Sequence, residues 1–301
     1  HQVLEELPFN PTMTHDQRAD AHIHLFEGGY QGGSFTSRPG VLVDEVLCYQ
    51  SLMKDHQIET ALVVGFEGEE WCLQNNDFLA RLIPHHPWIH ALAFCRLDQQ
   101  ADLMAKLENW KLQGFKGISL YLLDEADYRK LMEIPAEFWE WLTRHEWLIS
   151  VNSLGSLWKS WKNVLEKHPM LKLIVSHLGL PGKWIKPPSE HEASAIMKPL
   201  TDLAEYSEVH VKLSGFYALS KPAHDYPHPA AWPLTNELAR SFGTERLLWG
   251  SDFSPSLDYL SFPQTFEFFE KMLFLQEKEI RAIQGENLLH LLLKGEEGSV
   301  G

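Results

Sequence analysis

A pair of histidines near the amino end of the chain has a spacing that suits a metal or substrate site. His22 and His24 lie in the stretch ADAHIHLF over 19–26. This stretch is short and runs into a glycine-rich segment over 27–33, which favours a β-strand. Because side chains alternate along a strand, both imidazoles would lie on one face, together with Asp20. Such a pair on an exposed edge strand often has no function. Whether this pair forms a site therefore depends on which other residues the fold brings next to it.

Further along the chain, strand-like apolar runs alternate with segments of helical periodicity. The later strand-like runs lie at 58–66, 89–95, 115–121, 148–152, 172–177, 209–214 and 247–251. The helical segments lie at 41–56, 71–84, 101–113, 136–145, 157–168, 196–206, 234–242, 266–275 and 280–293. Strict alternation predicts a parallel sheet, and eight strands favour a closed α/β barrel, the (β/α)8 TIM barrel, over a doubly wound sheet.

The domain organisation follows from the absence of any linker rich in proline, glycine or serine. We expect one domain over 1–301, with an N-terminal extension over 1–18 and a flexible tail over 294–301. A single barrel of this length is ordinary.

Composition narrows the classes of partner. The net charge of −15 comes from 41 acidic and 26 basic residues, which argues against nucleic acid and anionic membrane surfaces. No apolar run approaches the roughly 20 residues that span a bilayer, and the amino end lacks the features of a signal peptide. Cys48, Cys72 and Cys95 have no spacing typical of zinc fingers, so we expect reduced thiols and a cytoplasmic location. The expected partner is a small-molecule substrate, and the oligomeric state is not predicted.

The predicted barrel brings other polar side chains to the rim that carries the two histidines. In such barrels, catalytic groups lie at the carboxyl ends of the strands. His177 ends the sixth strand-like run, and Asp252 follows the eighth. Strands one and eight are neighbours in a closed barrel, so Asp252 would lie beside the histidine pair, with His177 across the mouth.

The types of these residues suit hydrolysis. Neutral imidazoles and a carboxylate bind Zn²⁺ or a similar ion, which polarises a carbonyl and acidifies a bound water. Without a metal, Asp252 could deprotonate water directly while the histidines polarise the carbonyl by hydrogen bonding.

Six stretches carry a resemblance to a known family. They are DAHIHLF at 20–26, GFKGI at 114–118, VSHLGLP at 175–181, VKLSGF at 211–216, RLLWGSDFSP at 246–255 and GENLLHLL at 285–292. In this order they resemble the amidohydrolase superfamily, in the amidohydrolase-related (amidohydrolase 2) branch. This branch holds sugar-acid lactonases, pyrone-dicarboxylate lactonase and metal-dependent decarboxylases of aromatic acids. The resemblance implies a distorted (β/α)8 barrel with metal or catalytic roles for His22, His24, His177 and Asp252.

One departure from the family's pattern concerns the metal. Members that hold a metal firmly have a histidine at the end of the fifth strand, where this chain has Asn152. The resemblance also implies that members with two metal ions bridge them with a carboxylated lysine or a glutamate on the fourth strand. Lys116 lies too early on that strand to form such a bridge, so a dinuclear site is not expected. We expect either one divalent ion, zinc by preference, on the histidine pair and Asp252 with or without His177, or a metal-free site.

A second departure concerns the substrate. Pyrone-dicarboxylate lactonase, which this chain resembles, holds substrate carboxylates with arginines after the fourth and seventh strands. The corresponding regions of this chain, 119–122 and 216–219, contain no arginine. Lys116 and Lys212 remain as cationic candidates, with a structural role inside the barrel preferred for Lys212. Aromatic and amide groups suit a neutral sugar lactone. The predicted substrate-binding residues are Lys116, Tyr121, Asn152 and Tyr217, with Trp158, Trp184 and Trp249 near the mouth.

Three long loops are predicted to form the walls of the pocket, at 27–40, 179–192 and 215–229. The last contains His224, Asp225 and His228, which are either a second metal cluster or part of a rigid, solvent-facing loop. The neighbouring prolines favour the loop.

The leading expectation is a hydrolase that opens a lactone of a sugar acid. Water activated by Asp252 or by a bound ion attacks the carbonyl, a histidine stabilises the oxyanion, and Asp252 returns the proton to the leaving hydroxyl. The alternatives are a non-oxidative decarboxylase of the same superfamily, an amide or carbamate hydrolase, and an inactive barrel that only binds a ligand.

Overall fold

Eight parallel strands form one sheet in the order in which they occur in the chain, in a computed structural model that describes residues 17–32 and 42–298. They are β1 (Arg18–Ile23), β2 (Ile58–Val64), β3 (Ile89–Phe94), β4 (Gly117–Leu122), β5 (Leu148–Ser153), β6 (Lys172–Val175), β7 (His210–Leu213) and β8 (Leu247–Trp249). The ring closes beyond β8, where Ile23 bridges Phe253 and the Asp252 N–H donates to the His22 carbonyl at 2.8 Å. The predicted (β/α)8 barrel is confirmed.

Helices follow the strands in the expected alternation. They are α1 (Glu45–His56), α2 (Asn75–Leu82), α3 (Leu103–Gln113), α4 (Glu125–Met132), α5 (Ala136–Arg144), α6 (Trp161–Lys167), α7 (Glu190–Thr201), α8 (Trp232–Phe242), α9 (Gln264–Glu267), α10 (Glu277–Arg281) and α11 (Asn287–Gly298). None of the helices in this described part of the chain combines the length and apolar character needed to cross a bilayer. Cys72 and Cys95 are buried and Cys48 is exposed, and no disulfide joins any two of them.

Several element boundaries differ from the sequence prediction. Helix α4 was not predicted, because half of its residues are charged and only Tyr128 and Leu131 are buried. Helix α7 begins well before residue 196, since Ser189 and Glu192 form a capping box at its start. The last helix continues to Gly298, past the start of the tail expected from 294. Residues 1–16 of the predicted N-terminal extension lie outside the part of the chain that the structure describes, and β1 begins at Arg18.

The barrel interior has an apolar floor. A cluster of buried side chains from the strands and α11 fills it, made of Ala19, Ala21, Leu62, Val64, Leu92, Leu148, Ile174, Leu248, Leu288 and Leu291. The larger apolar cluster lies between the strands and the outer helices. Buried polar residues of the strands include His22, Ser150 and Lys212, and Lys212 contacts the other two at the candidate site.

Candidate active site

The four side chains predicted to be catalytic meet at the carboxyl rim of the barrel. His22 Nε2 lies 3.2 Å from His24 Nε2 and 3.5 Å from Asp252 Oδ1. His24 Nε2 lies 3.7 Å from the same carboxylate oxygen. The rings of His22 and His177 are 4.6 Å apart between centroids. The sequence thus identified the residues that converge, and their chemical roles remain predictions.

The local path of β1 separates His22 from Asp20, contrary to the expectation of a shared face. The register of β1 against β2 shifts between Asp20 and Ile23. Asp20 accepts hydrogen bonds from the Tyr49 hydroxyl of α1 and the Ser251 N–H, both at 2.8 Å. It therefore ties β1 to the segment that follows β8, while His22 faces the barrel interior.

His177 and Asp252 both have a left-handed backbone, with φ of 55° and 56°. This conformation costs a residue other than glycine roughly 1–2 kcal/mol. Such strained positions are common at functional sites, where the surrounding structure holds them in place. The Ser214 hydroxyl accepts the His177 N–H at 3.2 Å, and Gly215, with φ of 62°, packs against the His177 ring.

A buried carboxylate on α1 links the segments that follow β1 and β8. Glu45 Oε1 accepts the Phe26 N–H at 2.9 Å, and Glu45 Oε2 accepts the Ser254 hydroxyl. Sequence analysis assigned Glu45 no role, because its partners lie on segments far away in the chain. The contact holds the loops on either side of the site together.

Replacing Glu45 by alanine is expected to lower the free energy of unfolding by roughly 2–4 kcal/mol, because the buried Phe26 N–H and Ser254 hydroxyl lose their acceptor. Urea denaturation followed by circular dichroism measures the change. Glu45→Gln is the matched control, since its amide oxygen can still accept one bond, and a smaller loss is expected. Equal stability of all three proteins would contradict this role.

Tyr217 contacts Asp252 directly, in agreement with its predicted place in the site. Its hydroxyl donates to Asp252 Oδ2, and its ring stacks on Tyr259 at 4.7 Å between centroids. Burial raises the pKa of Asp252 to about 7, and the hydrogen bond from Tyr217 acts in the opposite direction. A carboxylate with such a pKa is matched to proton transfer near neutral pH.

The imidazoles are held in their neutral form. Burial lowers the pKa of His24 to about 4 and that of His177 to about 3. Burial, followed by the charge of Lys212, lowers the pKa of His22 well below its usual range. Neutral imidazole is the form that binds metals and donates a single N–H.

Tyr121 and Asn152 are neighbours across β4 and β5, at the carboxyl ends of these strands. Tyr121 packs against Phe66 and Phe94, with ring centroids 4.8 and 5.7 Å apart. Asn152 is buried, and its Nδ2 has no hydrogen-bond partner among the described residues. A buried donor without a partner is costly unless a ligand satisfies it.

One predicted substrate contact, Lys116, lies away from the site. Lys116 precedes β4 and is exposed, so it lies at the amino end of the strand, opposite the rim. We therefore correct its assignment as a substrate contact, which resulted from starting the strand too early. Trp158 and Trp249 are buried, and their indole N–H groups donate to the carbonyls of Gly179 and Thr265.

The loop after β7 is not solvent-facing at His228. This residue is fully buried, its Nδ1 lies 3.0 Å from Ser220 Oγ, and its Nε2 has no partner within the described chain. Over 17–32 and 42–298, the one grouping of three or more close metal-binding side chains is at the rim. His224, Asp225 and His228 therefore do not form a second cluster there.

Acidification is expected to destabilise the protein through His228. Burial lowers its pKa from 6.5 to about 4, so the unfolded chain binds the extra proton first as the pH falls. The free energy of unfolding therefore falls by at most about 1.4 kcal/mol per pH unit as the pH decreases from 6.5 towards 4. Urea denaturation of the wild type and His228→Asn at several pH values measures this loss. His228 has a left-handed backbone, with φ of 58°, which asparagine tolerates. Parallel stability curves would contradict the prediction.

The donors at the rim fit one divalent ion. Ligand atoms of His22, His177 and Asp252 all lie within 4.8 Å of one another. His24 Nδ1 lies 2.8 Å from the Val64 carbonyl, so its Nε2 lone pair faces the cluster, as metal-binding imidazoles require. Three imidazoles and a carboxylate are a donor set that suits zinc.

Lys212 lies beneath this cluster, inside the barrel as expected. It is fully buried, and its Nζ lies 2.9 Å from His22 Nδ1 and 2.7 Å from Ser150 Oγ. Burial lowers its pKa to about 7, while the charges of Asp252 and Asp20 favour the protonated form.

The family follows from a comparison of the sequence with family models. The Amidohydro_2 model, described as amidohydrolase, matches residues 19–290, so the chain belongs to this amidohydrolase family. The match confirms the resemblance carried by the six sequence stretches. No curated protein matches the chain.

Solved structures with the same fold span almost the whole chain. An amidohydrolase from Burkholderia multivorans with bound zinc has a TM-score of 0.73 at 19% identity, over 92% of this chain and 99% of its own. A probable 2-pyrone-4,6-dicarboxylic acid hydrolase from Acinetobacter baumannii with citric acid bound has a TM-score of 0.68 at 17% identity, over 91% and 98%. A 2,6-dihydroxybenzoate decarboxylase from Rhizobium has a TM-score of 0.59 at 15% identity, over 93% and 99%. At these identities the matches show the fold alone.

Proposed function

We propose that this chain is a hydrolase that opens a lactone of the sugar-acid type with water activated at Asp252. The observation that carries the proposal is the position of the Asp252 carboxylate. It is buried, lies within 3.7 Å of two imidazole nitrogens and accepts the Tyr217 hydroxyl. Membership of the amidohydrolase family supports a hydrolase, and a structural neighbour named as a pyrone-dicarboxylic acid hydrolase supports ring opening.

The proposed reaction has two steps, and residues of the site act in both. Asp252 accepts a proton from water while the water oxygen forms a bond to the lactone carbonyl carbon, and an imidazole N–H stabilises the oxyanion. The bond between the carbonyl carbon and the ring oxygen then breaks, and Asp252 returns the proton to the leaving oxygen. A divalent ion on the rim histidines and Asp252, when bound, would polarise the carbonyl and acidify the water.

The environment of the site favours an uncharged substrate ring. Tyr121 offers an aromatic wall beside Asn152, whose Nδ2 has no partner in the described structure. A ring or hydroxyl oxygen of a sugar lactone would satisfy this donor. Residues 119–122 and 216–219, at the end of β4 and just after β7, include no arginine to bind carboxylates. A small-molecule lactone as partner and a cytoplasmic location remain predictions of the sequence.

Asn152→Leu is expected to lower kcat/KM for the preferred lactone by about 10- to 100-fold, because the substrate loses a buried hydrogen bond. The free energy of unfolding should stay equal or rise, since the lost donor has no protein partner. Steady-state kinetics and thermal unfolding on the same samples measure both. A variant with unchanged kcat/KM would show that Asn152 does not bind substrate.

Acid release from a panel of aldonolactones tests the function. The protein is purified without added metal and assayed as isolated, after chelator, and after zinc is restored. We expect turnover of at least one lactone well above spontaneous opening. Absence of turnover for every lactone, with release of CO₂ from an aromatic acid, would reverse the order of the two candidates.

The decarboxylase is the second candidate because the rim can hold a metal. His22, His177 and Asp252 provide the cluster that such a reaction needs. A decarboxylase also needs a cation for the substrate carboxylate. Lys116 lies at the other end of the barrel, and Lys212 is engaged with His22 and Ser150, so hydrolysis is the better fit.

A further inference from the structure

Lys212 has a buried amino group that no step of the proposed reaction uses. Its Nζ lies 2.7 Å from Ser150 Oγ and 2.9 Å from His22 Nδ1, on the side of the ring away from Asp252. Ser176 Oγ lies 3.5 Å from the same His22 nitrogen. A metal-binding histidine normally donates its second ring N–H to a carboxylate or carbonyl. His22 Nδ1 instead faces the amino group of Lys212.

The contacts of Lys212 fit donation to His22. Its Nζ carries N–H donors both as an amine and as an ammonium group, so it can donate to His22 Nδ1 at 2.9 Å and to Ser150 Oγ at 2.7 Å. The proton of the neutral His22 ring is then on Nε2. This N–H faces His24 Nε2 at 3.2 Å and Asp252 Oδ1 at 3.5 Å.

The direction is fixed from the His24 end. The Val64 carbonyl can only accept, so the His24 proton is on Nδ1 and its Nε2 is an acceptor. His22 Nε2–H therefore has an acceptor opposite it. The reverse tautomer of His22 would place two nitrogen lone pairs 3.2 Å apart.

We propose that Lys212 is a positioning residue that holds His22 in the Nε2–H tautomer. His22 then presents an N–H to the site, and a metal ion must displace this proton before Nε2 can bind it. The residue thus weakens metal binding and favours His22 as the donor that stabilises the oxyanion. The role in the reaction rests on the proposed hydrolase function, whereas the tautomer does not.

The tautomer can be measured in the unmodified chain. Protein labelled with ¹⁵N-histidine is freed of metal by chelator and dialysis, and long-range ¹H–¹⁵N correlation spectra are recorded at one fixed pH. His22→Gln identifies the His22 signals. We expect a proton on Nε2 of His22 and on Nδ1 of His24. A His22 ring protonated on Nδ1 would overturn the proposal, and this result does not require any Lys212 variant to fold.

Zinc affinity provides a second readout, measured by calorimetry on the metal-free proteins. The amide oxygen of Lys212→Gln can accept the His22 Nδ1–H and turn the Nε2 lone pair towards the cluster. We expect this variant to bind zinc about 10- to 100-fold more tightly than the wild type. Lys212→Met removes the donor without supplying an acceptor and should give a smaller gain.

The two readouts separate this proposal from the proposed function. A purely structural lysine would weaken zinc binding when replaced, so equal or weaker binding by a folded Lys212→Gln would overturn the proposal. A wild-type protein that opens no lactone, yet has the His22 Nε2–H tautomer, would contradict the hydrolase function alone.

Discussion

Replacing Asp252 by asparagine is expected to lower kcat for lactone opening by roughly 10³-fold, the scale of a lost general base. Asparagine has nearly the same shape and can still accept the Tyr217 hydroxyl, but its amide cannot take a proton from water. The left-handed backbone at this position also suits asparagine. The loss should therefore be in kcat, with a small change in KM and in the melting temperature.

Tyr217→Phe is the matched control for this effect. It removes the hydroxyl that bonds to Asp252 Oδ2 but keeps the carboxylate and the aromatic ring that stacks on Tyr259. Its expected cost is about tenfold in kcat, because the carboxylate is less well oriented. An Asp252→Asn protein whose kcat is no lower than that of Tyr217→Phe would exclude Asp252 as the base.

Gly215→Ala is expected to lower kcat/KM by roughly 10²-fold through His177, since small misplacements of a catalytic group can cost this much. A Cβ atom at Gly215 would lie 2.6 Å from His177 Nδ1 and 2.8 Å from its Cγ. The imidazole cannot remain in place at these distances. Its hydrogen bond to Ser214 Oγ, now 2.8 Å, would be lost.

Gly155→Ala separates the clash from backbone strain. Gly155 also has a positive φ, of 45°, but the nearest atom to its added Cβ is the Pro181 carbonyl oxygen at 3.8 Å. Both variants should lose about 1–2 kcal/mol of stability from the left-handed backbone. Only Gly215→Ala should lose activity, and equal activities of the two variants would show that the His177 position is not important for the reaction.

The sequence was sufficient to predict the barrel and the residues that meet at its rim. Strand-like runs alternate with helical segments, and the direction of a parallel strand places His22, His177 and Asp252 at the same end. These inferences need only the period of the pattern and the closure of the sheet. The same reasoning failed for Lys116. The predicted fourth strand began at residue 115 and so included Lys116, whereas β4 begins at Gly117.

Contacts across the barrel could not be predicted in the same way. The Lys212 Nζ bond to His22 Nδ1 joins residues on β7 and β1, and it depends on the register of every strand between them. The register shift after Asp20 depends on contacts with Tyr49 and Ser251, which lie far from β1 in the chain. Helix α4 was missed because half of its residues are charged, and two buried residues are too few to show a helical period.

Lactone opening in oxygen-18 water tests most directly whether this site is a hydrolase. The wild-type protein is predicted to convert an aldonolactone to its acid with one labelled oxygen in the new carboxylate and all carbon atoms retained. Asp252→Asn should give only the slow, spontaneous product. Mass spectrometry that finds no enzyme-dependent label in any lactone tested, or loss of a carbon as CO₂, would contradict the assignment.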